Sequence, residues 1–209
     1  MMCAARRTTV ISMCNLLNWL FPARCGGCGK RGDGFCLACR SACSVEHFFV
    51  GRENALAVTA LGRYEGALRR AVLAMKRGRR DVAEALGRSL AIAIERDRDE
   101  VIVAAPTSPK RRAARGFDQA EALASVVRVE PRAARLRLDG ASQRGAGREE
   151  RLARRVRFGG GDVAGRRVLV IDDVCSTGGT LLACARALRE AGAVSIRAGV
   201  AARAERSSW

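Results

Sequence analysis

Two consecutive aspartates, Asp172 and Asp173, follow the apolar run at residues 168–171. Beyond Val174 and Cys175 come five small residues, Ser176, Thr177, Gly178, Gly179 and Thr180. A fully apolar strand ending in paired carboxylates places them at the sheet edge where open α/β proteins hold their ligands. Glycines let backbone N–H groups approach an anion, the start of a helix adds favourable dipole charge, and the Ser and Thr hydroxyls add donors. Together these make a phosphate cradle beside two acceptors suited to sugar hydroxyls. A 5-phosphorylated ribose presents those features in that order. Capping of a helix alone would need fewer small residues and only one acid. Competing phosphate motifs fail: the chain has no G-x4-G-K-[ST], and the glycines 159 and 161 with Ala164 precede a strand instead of following one.

A second group of cations, Lys110, Arg111, Arg112 and Arg115 with Gly116, follows another apolar run at residues 101–105 that Pro106 stops. If both runs are strands of one sheet, these cations share its ligand edge and suit an anion, although a solvated basic turn would look the same. At the other end of the chain, Cys25 and Cys28, then Cys36 and Cys39, form two C-x2-C pairs separated by seven residues. That spacing fits tetrahedral thiolate ligation of one zinc ion with no open position, which makes the metal structural. Cys43 and His47 lie outside the paired spacing. Cys175, inside the phosphate segment, reads as a small buried filler.

The elements that position these groups follow from the apolar pattern. Residues 57–64 alternate as a strand, and helices are expected over 65–76 and 81–95, split by the basic turn 77–80. Residues 119–127 read as a helix capped by Asp118, and 180–190 as a helix stopped by Gly192. Residues 194–201 supply a last strand. Residues 135–161 are Arg- and Gly-rich and are expected to be an irregular functional loop. Strands alternating with helices predict an α/β fold with a largely parallel central sheet flanked by helices. A head over residues 1–45 would precede the main domain over 46–209.

The 209 residues carry a net charge of +17, almost all from arginine, because Lys30, Lys76 and Lys110 are the only lysines. Such a balance suits an anionic partner, nucleic acid or a polyphosphate. Nine cysteines, an odd number clustered in pairs, fit metal ligation in the reducing cytoplasm better than a secreted disulfide framework. The apolar stretch 10–21 is too short to span a bilayer and is interrupted by Asn15, Asn18 and Trp19. It reads as a short amphipathic helix.

The segment of four apolar residues, two acids and V-x-[ST]-T-G-x-T resembles the phosphoribosyl-pyrophosphate (PRPP) signature of type I phosphoribosyltransferases. The cysteine pairs, Lys76 with its basic turn, and the run 106–120 resemble, in that order, the ComF family, over residues 20 to 203. The resemblance implies a type I phosphoribosyltransferase-like domain with a small N-terminal four-cysteine zinc module. It also implies that Ser176–Thr180, with Cys175, hold the 5′-phosphate and that Asp172 and Asp173 contact the ribose. Lys110, Arg111, Arg112, Arg115 and Gly116 would take pyrophosphate, with Mg²⁺ accompanying PRPP. In that reading Arg135, Arg137, Gln143 and Arg151 belong to a loop that closes over the site. Many members are linked to uptake of transforming DNA, so DNA or DNA-uptake proteins are the implied partners. The chain departs from the family at Asp118, Gly140 and Arg154. Transfer to an acceptor base and binding without turnover both stay open.

Overall fold

The computed structural model describes residues 23–53, 55–95, 99–128, 134–138 and 156–205. The sequence-predicted helix at 10–21 lies outside them. In chain order the elements are α1 (Leu37–Ser41), β1 (Glu46–Val50), β2 (Leu56–Ala60), α2 (Gly66–Lys76), α3 (Arg80–Ala93), β3 (Val101–Ala104), α4 (Pro109–Arg115), α5 (Gln119–Val127), β4 (Ala134–Leu138), β5 (Val156–Gly161), β6 (Arg167–Cys175), α6 (Gly179–Glu190) and β7 (Ser195–Arg203).

Five strands form the central sheet in the order β1-β2-β7-β6-β3. β2, β7, β6 and β3 run parallel, and only the edge strand β1 is antiparallel to its neighbour. The fold is therefore α/β with a mostly parallel sheet, as the alternation of apolar runs and helices predicts. Strand periodicity sends alternate side chains to opposite faces. Along β6, Leu169 and Ile171 face one core with Leu68, Val72, Met75, Val82, Leu86 and Leu123 from α2, α3 and α5. Val168 and Val170 face the other core with Leu181, Leu188 and Cys184 of α6. Helices on both faces explain why these strands read as continuous apolar runs. Each fully buried leucine or isoleucine here contributes about 1.5–3 kcal/mol over an exposed one.

The cysteine-bearing head is joined to this core. Cys25, Phe35 and Cys39 are buried in the same cluster as Leu68, Ala71, Val72 and Met75. At Gly34 the head backbone lies so close to α3 that an added Cβ would meet the Asp81 carbonyl oxygen at 2.5 Å.

Several expectations need correction. Residues 134–138 and 156–161 are paired antiparallel as β4 and β5, a two-stranded ribbon with an irregularity between Arg135 and Leu136. The stretch expected to be irregular is thus bounded by regular strands, and residues 139–155 lie outside the described part. β6 does not stop before the aspartates but carries both of them and reaches Cys175. α3 ends at Ala93 and not at Glu95, which sits at φ 47 in the left-handed region. β1, α1 and α4 were not expected as regular elements. Among the described residues no helix is long and apolar enough to cross a membrane.

Candidate functional site

Parallel pairing brings the carboxyl ends of β2, β7, β6 and β3 to one edge, the ligand side of such a sheet. Asp172 and Asp173 stand in β6 at that edge, next to the end of β3, whose Ala104 is in register with Ile171. Each carboxylate is braced by the backbone that follows it. The Asp173 N–H donates to Asp172 Oδ1 at 2.7 Å, and the Val174 N–H donates to Asp173 Oδ1 at 2.7 Å. The other oxygen of Asp173 accepts an ion pair from Lys76 Nζ at 3.2 Å. Burial, and then the neighbouring charge of Asp173, push the Asp172 carboxyl well above the ordinary carboxylate range. A divalent ion such as Mg²⁺ takes one or two carboxylates together with waters and phosphate oxygens. Two adjacent carboxylates at the carboxyl edge of the sheet fit that donor set.

The small-residue segment turns directly into α6. Its N-cap is Gly178 at φ 78, which has no side chain to cap that end. In contrast, Ser108 caps α4 by accepting from the Arg111 N–H, and Asp118 caps α5 by accepting from the Glu121 N–H. Helix-end N–H groups and dipole of this kind suit an anion. Ser176 and Thr177 are exposed beside it, and the Gly179 N–H turns back to the Thr177 hydroxyl at 3.4 Å. Gly178 is buried, and its reason for being glycine is not the one the sequence suggests. A Cβ there would lie 2.7 Å from Val50 Cβ, against β1, whereas the sequence reading had it facing the anion. Cys175 is buried, and burial raises its thiol to about 11, which fits a filler.

Lys110, Arg111 and Arg112 are exposed on α4, the short helix after β3. Gly116 ends it in the left-handed conformation, and Arg115 is tied back through its Nη1, which donates to Gln119 Oε1 at 2.8 Å. A cavity of about 370 Å³ lies between α4 and β4, lined by Arg112, Asp118, Glu121, Arg135 and Arg137 among others. Gln143 and Arg151, expected in a closing loop, lie outside the described residues. Sequence reasoning gave no role to two further groups at the same edge. Tyr64 is flanked by Arg69 and Lys76, whose charged atoms lie 5.9 and 6.0 Å from its ring centre. Arg203, at the end of β7, lies 4.4 Å over the Phe48 ring and 3.6 Å from Glu46 Oε2. Lys76 entered the sequence reading only with its basic turn in the family resemblance, and no role was assigned to it there.

In the head, the four sulfurs of Cys25, Cys28, Cys36 and Cys39 lie within 4.8 Å of one another. Cys25 and Cys39 are 3.7 Å apart, as are Cys28 and Cys36. Four thiolates about 2.3 Å from one tetrahedral ion sit about 3.75 Å from each other, so this donor set fits zinc. Burial opposes ionisation of Cys25, yet the N–H groups of Cys36, Cys28 and Gly27 bring its thiol down to about 6. Cys43 instead donates to the Cys39 carbonyl oxygen and His47 pairs with Thr59, so both stay outside the cluster.

A family model described as the phosphoribosyl transferase domain matches residues 82–208. An adenine phosphoribosyltransferase of Mycobacteroides abscessus is 61% identical over 41 residues, which are 20% of this chain and 23% of that protein. A ribose-phosphate pyrophosphokinase of a Marinomonas species is 53% identical over 38 residues, 18% of this chain and 12% of that protein. The matched stretches thus span less than a quarter of these relatives. Among solved structures, a phosphoribosyltransferase from Corynebacterium diphtheriae aligns with a TM-score of 0.38 at 22% identity, covering 66% of this chain and 83% of that one. An orotate phosphoribosyltransferase of Mycobacterium tuberculosis in complex with PRPP aligns with a TM-score of 0.36 at 20% identity, covering 62% and 61%. With its family match running from the start of α3 past the end of β7, this chain belongs to the phosphoribosyl transferase domain family.

Proposed function

We propose that this chain is a ComF-like phosphoribosyltransferase that binds PRPP along the carboxyl edge of its sheet and transfers the phosphoribosyl group to an acceptor. The observation that carries this reading is the uncapped start of α6 immediately beyond two braced carboxylates, with a cationic helix following the neighbouring strand. The loop 175–180 and the first turn of α6 hold the 5′-phosphate. Asp172 and Asp173 accept from the ribose hydroxyls, which relieves the repulsion between them. Lys110, Arg111, Arg112 and Arg115 receive pyrophosphate as it leaves the anomeric carbon, where positive charge develops. Magnesium, held by the carboxylate pair, would add charge neutralisation of the leaving group. Zinc in the head is structural and keeps that segment folded onto α2 and α3.

Calorimetry of Mg-PRPP binding tests the site. Wild type should bind, and Asp172→Asn/Asp173→Asn should weaken binding at least about tenfold, equivalent to 1.4 kcal/mol. Correctly folded wild-type protein with no affinity for Mg-PRPP or ribose 5-phosphate overturns the reading. Pyrophosphate release with a panel of bases then separates transfer from binding without turnover. A second reading is favoured by the fusion of the thiolate head with the core beneath the site. In it, the chain is a non-catalytic PRPP-binding module that couples the head to DNA-processing partners in the cytoplasm. Its charge of +17 then serves nucleic acid. DNA binding that falls steeply as salt rises supports this second reading, and absence of DNA binding favours the small-molecule reading.

A further inference from the structure

Lys76 is the last residue of α2, an element that the phosphate segment, the cationic helix and the family match all leave out. Its Nζ reaches Asp173 Oδ2 at 3.2 Å, while Asp173 Oδ1 is occupied by the Val174 N–H. Both oxygens of this carboxylate are therefore satisfied within the chain, and the one facing away from the backbone is covered by an ammonium. That is the oxygen left for an incoming metal ion or hydroxyl. Two residues beyond Lys76, the chain passes α4: a Cβ on Gly78 would lie 3.6 Å from the Arg115 carbonyl oxygen. Lys76 thus stands between the acid pair and the helix that bears the cationic cluster. Its side chain is 28% exposed, so it is neither locked in the core nor lost to solvent. A lysine ammonium on a flexible stem can change partners, which a planar arginine fork does less readily.

We propose that Lys76 is a positioning residue of the acid pair with two alternative partners: Asp173 in the ligand-free chain, and the anionic end of the ligand once the site is filled. The inference rests on the PRPP reading for its second half, but not for its first. In the ligand-free chain Lys76 offsets the repulsion between Asp172 and Asp173 and competes with any divalent ion for Asp173. When the site fills, Lys76 gives up Asp173 and its charge moves toward α4, where Arg111, Arg112 and Arg115 already stand. The same residue therefore opposes binding of a bare cation and favours binding of a cation that arrives with a polyphosphate. A side chain that only braced α2 would do neither.

The test uses the full chain and two titrations. Mn²⁺ alone, followed by its paramagnetic resonance, reads the first partner; Mg-PRPP, followed by calorimetry, reads the second. Lys76→Met keeps the apolar stem and should bind Mn²⁺ at least about threefold more tightly than wild type, because removing a neighbouring cation favours an added one. The same variant should bind Mg-PRPP at least about tenfold more weakly. Lys76→Arg keeps the charge and should restore part of the PRPP affinity but stay below wild type, because its planar fork changes partners less readily, and its folding shows that the position tolerates substitution. Mn²⁺ affinity that is unchanged or lowered in Lys76→Met overturns the competition. Unchanged PRPP affinity in a wild type that does bind PRPP overturns the second partner. A wild type that binds no PRPP sinks the proposed function instead, while the Mn²⁺ result still decides whether Lys76 guards Asp173.

Discussion

Adding one methyl group at Gly178 is a severe perturbation, and the structure says why in two separable parts. The residue sits at φ 78, where an L side chain costs about 1–2 kcal/mol. The new Cβ would also lie 2.7 Å from Val50 Cβ and 2.8 Å from Val50 Cγ1. Ordinary carbon contacts are about 3.5–4.0 Å, so one side must move by about 1 Å. β1 can yield, because it is an edge strand bonded only to β2, and overpacking of a site that yields costs about 1–3 kcal/mol. Gly178→Ala should therefore lose about 2–5 kcal/mol in urea denaturation, a large share of a typical stability of about 5–15 kcal/mol. Gly165, at φ 69 with nothing within 4 Å of an added Cβ, isolates the backbone part. Gly165→Ala should cost only about 1–2 kcal/mol. Val50→Gly removes the opposing Cβ, so combined with Gly178→Ala it should return the steric share as a coupling of about 1–3 kcal/mol. Equal losses for Gly178→Ala and Gly165→Ala, with no coupling to Val50, refute the reasoning. In that case the loop does not lean on β1.

Protein purified without added metal should contain about one zinc per chain, and Cys25→Ser/Cys36→Ser should lose it and melt earlier; zinc retained undiminished would contradict the four-thiolate site. Arg197 forms a two-pronged pair with Glu100 at 2.6 and 2.7 Å and also donates to the Ile94 carbonyl oxygen, while the Glu100 side chain is only 6% exposed. Arg197→Met should cost about 3–5 kcal/mol by stranding that carboxylate, and Arg197→Met/Glu100→Met should recover much of it; a double variant as unstable as the single one would point to lost packing instead. An acid whose carboxyl is raised on folding, as Asp172 is by burial and by Asp173, drains stability as pH climbs from about 4 through the raised value. Asp172→Asn should accordingly raise the Tm of the ligand-free chain at pH 8 and leave it nearly unchanged near pH 4, and a gain independent of pH would show that charge is not the cause.

What the sequence made legible is what local pattern determines. β6 announces itself because its stretch buried on both faces, residues 168–171, must be apolar, and α5 because Asp118 caps a mostly apolar nonamer. The cysteine pairs were readable because ligand spacing is itself a local constraint. β1 was missed because an edge strand half open to solvent carries Phe48 and Phe49 together, and Phe49 is left 72% exposed. The β4–β5 ribbon was hidden by arginines: Ala134, Leu136 and Leu138 alternate with Arg135 and Arg137, a period of two masked by charge. α4 has no buried residue, so no periodicity could reveal it; a Ser108 cap, Pro109 and a left-handed Gly116 define it instead. Gly178 was recognised as glycine for the wrong neighbour, since its partner Val50 lies in a strand the sequence did not show.

The thiolate head and the acid pair are linked through one helix, which gives the head a physical reason to be there. α2 turns Leu68, Ala71, Val72 and Met75 into the core that also holds Cys25, Phe35 and Cys39. From the outer side of the same helix, Arg70 Nε donates to the Gly27 carbonyl oxygen in the first cysteine knuckle at 2.5 Å. Its final turn delivers Lys76 to Asp173. A helix of eleven residues has little stability of its own in water, so its placement depends on what it packs against. On one side that is the sheet; on the other it is a segment with few apolar residues, for which an ion held by the four clustered thiols would supply the missing cohesion. A head held by such an ion would be a means of fixing the angle at which α2 meets the carboxyl edge. The position of a single ammonium beside two carboxylates follows from that angle.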